Sequence, residues 1–217
     1  SHALGMTEDE RAEAKIALMR RVFRLARSRG LGVTYAHDVD TESSNPQNIL
    51  LTLPASARIT SGKFQLANPE TQEGYAYYKE QVRQLLATYP QIDRLAVWFR
   101  NNSTPWRNLE PKDFPEAWRK QFQAALDQHA PLRGDKEAHG MFAMSKLVRA
   151  FQRALDELGR KDVELAYGSW RFPFLRAADI LMPAGTTAIP LDWQIVFDKP
   201  ETQQYFRVIT ADGRKTI

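Results

Sequence analysis

The chain has 217 residues and a mass of 24.9 kDa, with 30 Lys and Arg against 26 Asp and Glu, 43% hydrophobic residues and no cysteine. That apolar content is enough for a buried core and excludes a disordered chain, while the lack of cysteine excludes disulfides, thiolate nucleophiles and cysteine-ligated metal. The formal charge of +4 comes from interspersed charges of both signs, with no block suited to nucleic acid, and no apolar run approaches the roughly 20 residues that span a bilayer. The N-terminus lacks a basic-then-apolar leader pattern, so the expectation is a soluble protein that binds neither membrane nor nucleic acid.

From Glu8 to Ser28, the residues Ile16, Met19, Phe23 and Ala26 recur at helical spacing, flanked by Leu18, Val22 and Leu25. Thr7 is placed as the N-cap and Glu10 as its capping-box partner. Arg20, Arg24 and Arg27 run along another side and read as a solvated face with cations near the negative helix end. Gly30 ends the helix, Leu31 to Ala36 form a strand rich in β-branched and aromatic residues, and His37-Asp38-Val39-Asp40 leaves it.

The polar stretch to Ala67, punctuated by Asn45-Pro46, Pro54 and Ser61-Gly62, reads as a long loop with a short strand near Ile49–Leu53. Asn68-Pro69-Glu70 opens a second helix whose stripe is Tyr75, Tyr78, Val82, Leu85 and Tyr89, stopped by Pro90. Ile92 to Phe99 is a strand, continuously apolar over Leu95 to Phe99 as in a parallel sheet covered on both faces. After the polar exit Arg100 to Trp106, a helix runs from Pro115 to His129 with Trp118, Phe122, Ala125 and Leu126 inward. A linker, Ala130 to Gly140, leads to a helix from Met141 to Leu158. Val163 to Tyr167 is a strand that exits through Gly168-Ser169-Trp170-Arg171. Phe174 to Leu181 is a short helix, Ala188 to Trp193 a further strand, and a last helix begins at Pro200.

Helix-to-strand turns are brief, whereas strand-to-helix connections are long and carry His, Asp, Asn, Arg and Trp. The alternation predicts an α/β fold with parallel strands between helices, and the long loops put any site at the carboxyl ends of the strands. No glycine-rich phosphate loop follows any strand, which removes dinucleotide and P-loop chemistry.

Four strand exits supply candidates. Asp38, Asp40 and Asp192 are candidate catalytic carboxylates, because carboxylates on different strands can be held a few ångströms apart for acid/base or nucleophilic work. His37, Arg100, Asn101, Asn102, Trp106, Trp170, Arg171 and Trp193 are candidate substrate-binding residues: flat indole faces beside hydrogen-bonding groups suit a sugar ring. Trp106 and Trp170, in polar loops, are expected to be exposed, whereas Trp98 and Trp193 serve equally well as plugs at the end of a core. An Asp just after a strand also serves as a turn or cap residue. The remaining histidines, His2, His129 and His139, are scattered, Ser169 lacks the second glycine of a nucleophile elbow, and no metal or cofactor is expected.

Arg29-Gly30-Leu31-Gly32-Val33-Thr34-Tyr35, then Asn68-Pro69-Glu70 through Tyr89-Pro90-Gln91-Ile92-Asp93, resembles the (β/α)-barrel glycoside hydrolases of the α-glucuronidase-like and hexosaminidase-like kind. The resemblance covers about two-thirds of the chain. It implies a carbohydrate substrate and a carboxylate mechanism at strand ends. Where that family ends the second strand with a glutamate, this chain has Arg100-Asn101-Asn102, so either the carboxylates come from other strands or the domain only binds carbohydrate. Eight strand–helix units, about 250 residues, do not fit in 217. The expectation is therefore a single α/β domain over residues 1–217 with about four to five units. It is a partial barrel, completed by the rest of a larger chain or by another copy.

Overall fold

Thr7 starts the first helix, α1 (Glu8–Ser28), in the computed structural model, which describes residues 5–41, 45–99, 104–169 and 177–190. The capping box is complete: Thr7 Oγ1 accepts from the Glu10 amide at 3.2 Å, and the Glu10 carboxylate accepts from the Thr7 amide at 2.7 Å. Phe23 alone on α1 is buried, edge-on against Tyr89 and Tyr35. Leu18, Val22 and Leu25, at helical spacing, stay exposed.

Strand β1 (Thr34–Asp38) follows. The connection beyond it differs from the expected loop with a strand at Ile49–Leu53. Those residues sit in and just after a short helix, α2 (Gln47–Leu50), and the strands form later as an antiparallel hairpin of β2 (Arg58–Ser61) and β3 (Phe64–Ala67). Gly62, at φ 57°, supplies the left-handed residue of the hairpin turn.

Helix α3 (Gln72–Thr88) begins later than Asn68-Pro69-Glu70 suggested. Thr71 is the cap, accepting from the Gly74 amide at 3.1 Å, while Asn68 accepts from the Glu70 amide in an Asx turn. The helix lies so close to that turn that a Cβ on Gly74 would be 2.0 Å from the Asn68 carbonyl oxygen. Its buried stripe is Tyr75, Tyr78, Val82 and Leu86; Leu85 is only partly buried. Strand β4 (Arg94–Phe99), helices α4 (Glu116–Gln128), α5 (Ala130–Arg133) and α6 (Ala138–Glu157), strand β5 (Glu164–Ser169), helix α7 (Ala178–Leu181) and strand β6 (Thr187–Pro190) complete the described elements. The segment read as a linker thus contains α5 and the first turn of α6. The last predicted helix, and the predicted strand beyond Pro190, lie outside the described residues.

The four main strands form one parallel sheet in the order β1-β4-β5-β6, with α3, α6 and α7 in the successive crossovers. Successive residues of a strand face opposite sides, and here the sides differ sharply. Leu95, Val97, Phe99, Leu165 and Tyr167 join Tyr78, Val82, Leu147 and Phe151 of the helices in one core cluster. Ala96, Trp98 and Ala166 are buried yet stand outside that cluster, on the opposite face. There the register stacks three layers: Thr34, Arg94 and Glu164; Ala36, Ala96, Ala166 and Thr187; then Asp38, Trp98, Gly168 and Ile189 at the carboxyl ends. This is an α/β fold of parallel strands alternating with helices, consistent with part of a barrel wall. No helix among the described residues is long and apolar enough to cross a membrane.

Candidate functional site

The end of β1 sorts its three candidate residues by geometry. Asp38 stands in register with Trp98 of β4 on the face away from the core cluster. A Cβ on Gly168 of β5 would lie 2.3 Å from Trp98 Cζ3, so the indole lies across β5 at the one residue that leaves room for it. Trp98 is only 7% exposed, packed against β5 rather than standing as an exposed platform.

His37, one residue earlier, faces the helix layer. Its ring packs near Phe151, with centroids 6.1 Å apart, and its Nε2 lies 3.3 Å from Gln81 Oε1. Burial holds the imidazole below its ordinary value of 6.5, against the opposing pull of the Gln81 contact and the charges of Asp40 and Asp38.

Asp40 sits at φ 49°, in the left-handed region that Asp tolerates better than most residues, and is 4% exposed. Its Oδ2 accepts from Tyr78 Oη at 2.7 Å and from Trp106 Nε1 at 3.0 Å. Burial raises the carboxyl above its ordinary value, while the two hydrogen bonds and His37 act to lower it. The Tyr78 hydroxyl has a single proton, and the shorter bond to Asp40 takes it in preference to the Ala67 carbonyl at 3.3 Å.

The expectation that Trp106 is exposed is wrong. It is fully buried, stacked on Trp118 and edge-on to Tyr78, because its N–H finds Asp40 and its ring finds the aromatic cluster under α4 and α6. It is a packing residue and offers no sugar platform. Arg100, Asn101, Asn102, Trp170, Arg171, Asp192 and Trp193 lie outside the described residues.

Two clefts open near these strand ends. One, of about 620 Å³, is lined by His37, Asp38 and Asp40 together with Ile16, Tyr77, Gln81 and Tyr89. Its α3 side was not read from the sequence. The signal was there in the spacing of Tyr77, Gln81, Gln84 and Thr88 beside the apolar stripe. The other, of about 520 Å³, lies between the β2–β3 turn and the β4 exit, where Ser61 Oγ donates to the Pro105 carbonyl at 2.7 Å; Lys63, Phe64, Asn108 and Glu110 line it. Among the described residues no group of three His, Asp or Glu is placed to hold a metal ion.

The chain matches no protein-family model and no curated protein. Fold and site together define a parallel α/β wall with a carboxylate and an indole side by side at its carboxyl edge.

Proposed function

We propose that the chain is a carbohydrate-active domain, the wall of a glycoside hydrolase barrel, that engages an oligosaccharide at the carboxyl ends of β1 and β4. The observation that carries this reading is the register pair Asp38 and Trp98, a carboxylate beside an indole on the face away from the helix core. Asp38 is the reacting carboxylate, as acid/base or nucleophile, and the second carboxylate comes from another strand exit, with Asp192 the candidate. Asp40 is a positioning residue, because both of its donors, Tyr78 and Trp106, are structural. The cleft beside Asp38 combines the half-buried ring of Tyr77 with hydrogen-bonding groups from His37 and Gln81, a mixture suited to sugars.

The test is hydrolysis of a panel of neutral, amino and uronic-acid oligosaccharides by the full chain and by Asp38→Asn. A loss of about 100-fold or more in turnover, with binding retained, is the expected result for a catalytic carboxylate. Unchanged turnover in Asp38→Asn removes the assignment. A second reading, a carbohydrate-binding domain without turnover, is favoured by the engagement of Asp40 in the Tyr78 and Trp106 hydrogen bonds. It predicts binding without hydrolysis, weakened by Tyr77→Ala.

A further inference from the structure

We propose that the cleft between the β2–β3 turn and the β4 exit is a second carbohydrate subsite, which holds neutral sugar units of the same chain that Asp38 engages. The inference rests on the carbohydrate reading and adds to it a substrate of several linked units, not a single terminal sugar.

The first observation is position. The β2–β3 hairpin belongs to the connection that leaves β1, and residues 105–113 belong to the one that leaves β4. Both walls of the cleft therefore stem from the strand ends that carry Asp38 and Trp98. The cleft also adjoins the one beside Asp38. Asp40 lines that first cleft and accepts from Trp106 Nε1 at 3.0 Å, and Pro105, the residue before Trp106, lines the second. A chain of linked rings leaving the first cleft along this boundary meets the second.

The second observation is that both walls are held in place. Ser61, 2% exposed, ties the hairpin to the opposite wall through its 2.7 Å bond to the Pro105 carbonyl. Beyond Pro105, Arg107 makes a two-pronged pair with Glu137 at 2.7 and 2.9 Å, and His139 Nδ1 lies 2.7 Å from the Leu109 carbonyl oxygen. A Cβ on Gly140 would lie 2.6 Å from the Arg107 carbonyl oxygen, so α6 packs directly on this segment. The Glu110 amide donates to Asp113 Oδ2 at 3.1 Å and closes the turn Pro111–Asp113. A cleft built this way is formed before its ligand arrives, so binding does not bear the cost of ordering the walls.

The third observation is the chemistry of the lining. Phe64, half-buried, contributes an aromatic ring, with Lys63 Nζ 5.1 Å from its centroid. Lys63 and Lys112 are matched by Glu110 and Asp113, and Lys112 pairs with Glu110 at 2.8 Å, so this lining favours neither a phosphate nor a cation. A ring for the C–H face of a sugar, with donors and acceptors beside it for the hydroxyls, suits an uncharged pyranose. The volume, about 520 Å³, is of the size that encloses a whole small ligand.

The test is calorimetric titration of Asp38→Asn, in which turnover is suppressed, with cello-, xylo-, manno- and chito-oligosaccharides of two to six units. The expected result is affinity that rises at least about tenfold from disaccharide to hexasaccharide in the accepted series. Phe64→Ala in the same background removes that gain and leaves the disaccharide affinity unchanged. Equal affinity at every length overturns the subsite while the carbohydrate reading stands, and so does a gain that survives Phe64→Ala. Absence of binding by all four series also overturns it, and the carbohydrate reading falls as well only if the rest of the panel above fails. The amide resonances of Gly62 and Lys63 in Asp38→Asn give a measure that leaves the cleft unaltered. They shift on addition of the hexasaccharide, and resonances that stay fixed overturn the proposal even where Phe64→Ala fails to fold.

Discussion

Asp40 accepts two hydrogen bonds on one buried oxygen, and both donors belong to side chains far away in sequence. Removing the acceptor with Asp40→Ala leaves the Trp106 N–H unsatisfied and the Tyr78 hydroxyl with only the longer contact to the Ala67 carbonyl, a loss of about 1–3 kcal/mol readable by urea unfolding. Asp40→Asn keeps an acceptor and removes a charge that burial disfavours, so its loss should be clearly smaller; equal losses would contradict this account. His37 acts with the opposite sign to Asp40 on pH. Its folded value lies below 6.5, so as pH falls through 6.5 the unfolded chain takes up the proton first and stability declines. Above that range both states are neutral and the contribution is complete. The buried Asp40 carboxyl, raised in the fold, is relieved as pH falls, which partly offsets the His37 loss. Unfolding midpoints measured from pH 8 to 5 should therefore slope less in His37→Gln, and an unchanged slope would show that His37 does not titrate this way.

At the scale of elements, the third, fourth and sixth helices are tied by one mixed cluster. Lys146 of α6, 9% exposed, sits 2.6 Å from Glu70 Oε1, also bonds to Gln121 of α4, and lies over the rings of Trp118 and Phe142. Glu70, at the turn before α3, accepts from Trp118 Nε1 at 2.6 Å through its other oxygen. Glu70→Ala leaves the ammonium with Gln121 but no counter-charge and the Trp118 N–H without its acceptor, and should cost about 2 kcal/mol, less than in a fully enclosed pair because Glu70 is 39% exposed. Adding Lys146→Met should recover the part of that loss that comes from the unpaired ammonium, since an apolar chain fits among the same rings, and leave the part that comes from the Trp118 N–H. Thermal unfolding of the two variants checks this, and a double variant no more stable than Glu70→Ala would place the loss elsewhere. Elements also show where local patterns mislead. Ile49 to Leu53 has the composition of a strand, yet with no neighbour to pair it makes a helical turn, while the less apolar Arg58 to Ala67 pairs with itself as a hairpin.

For the whole molecule, the alternation of strand and helix, the capping of α1, the order of the main elements and the placing of loops at the strand carboxyl ends were legible in the chain. Each depends on residues a few positions apart: Thr7 with Glu10, the three-and-four spacing of Phe23 and its neighbours, the apolar run of β4. The site was legible only in part. His37, Asp38 and Asp40 were found as a group, but their spacing does not say that Asp38 pairs with Trp98 across the sheet while Asp40 is engaged by Tyr78 and Trp106. Trp106 reads as a loop residue among Asn, Pro and Arg, and only the closing of α4 and α6 over it buries it. The sequence by itself thus determined the kinds of element and the placing of the long loops at the strand carboxyl ends, because those follow from local periodicity, capping and turn chemistry. The tertiary structure alone decided which carboxylate is engaged by Tyr78 and Trp106, which tryptophan is packing, and which flank of α1 is left apolar and exposed. Those outcomes depend on partners that meet only when distant segments pack.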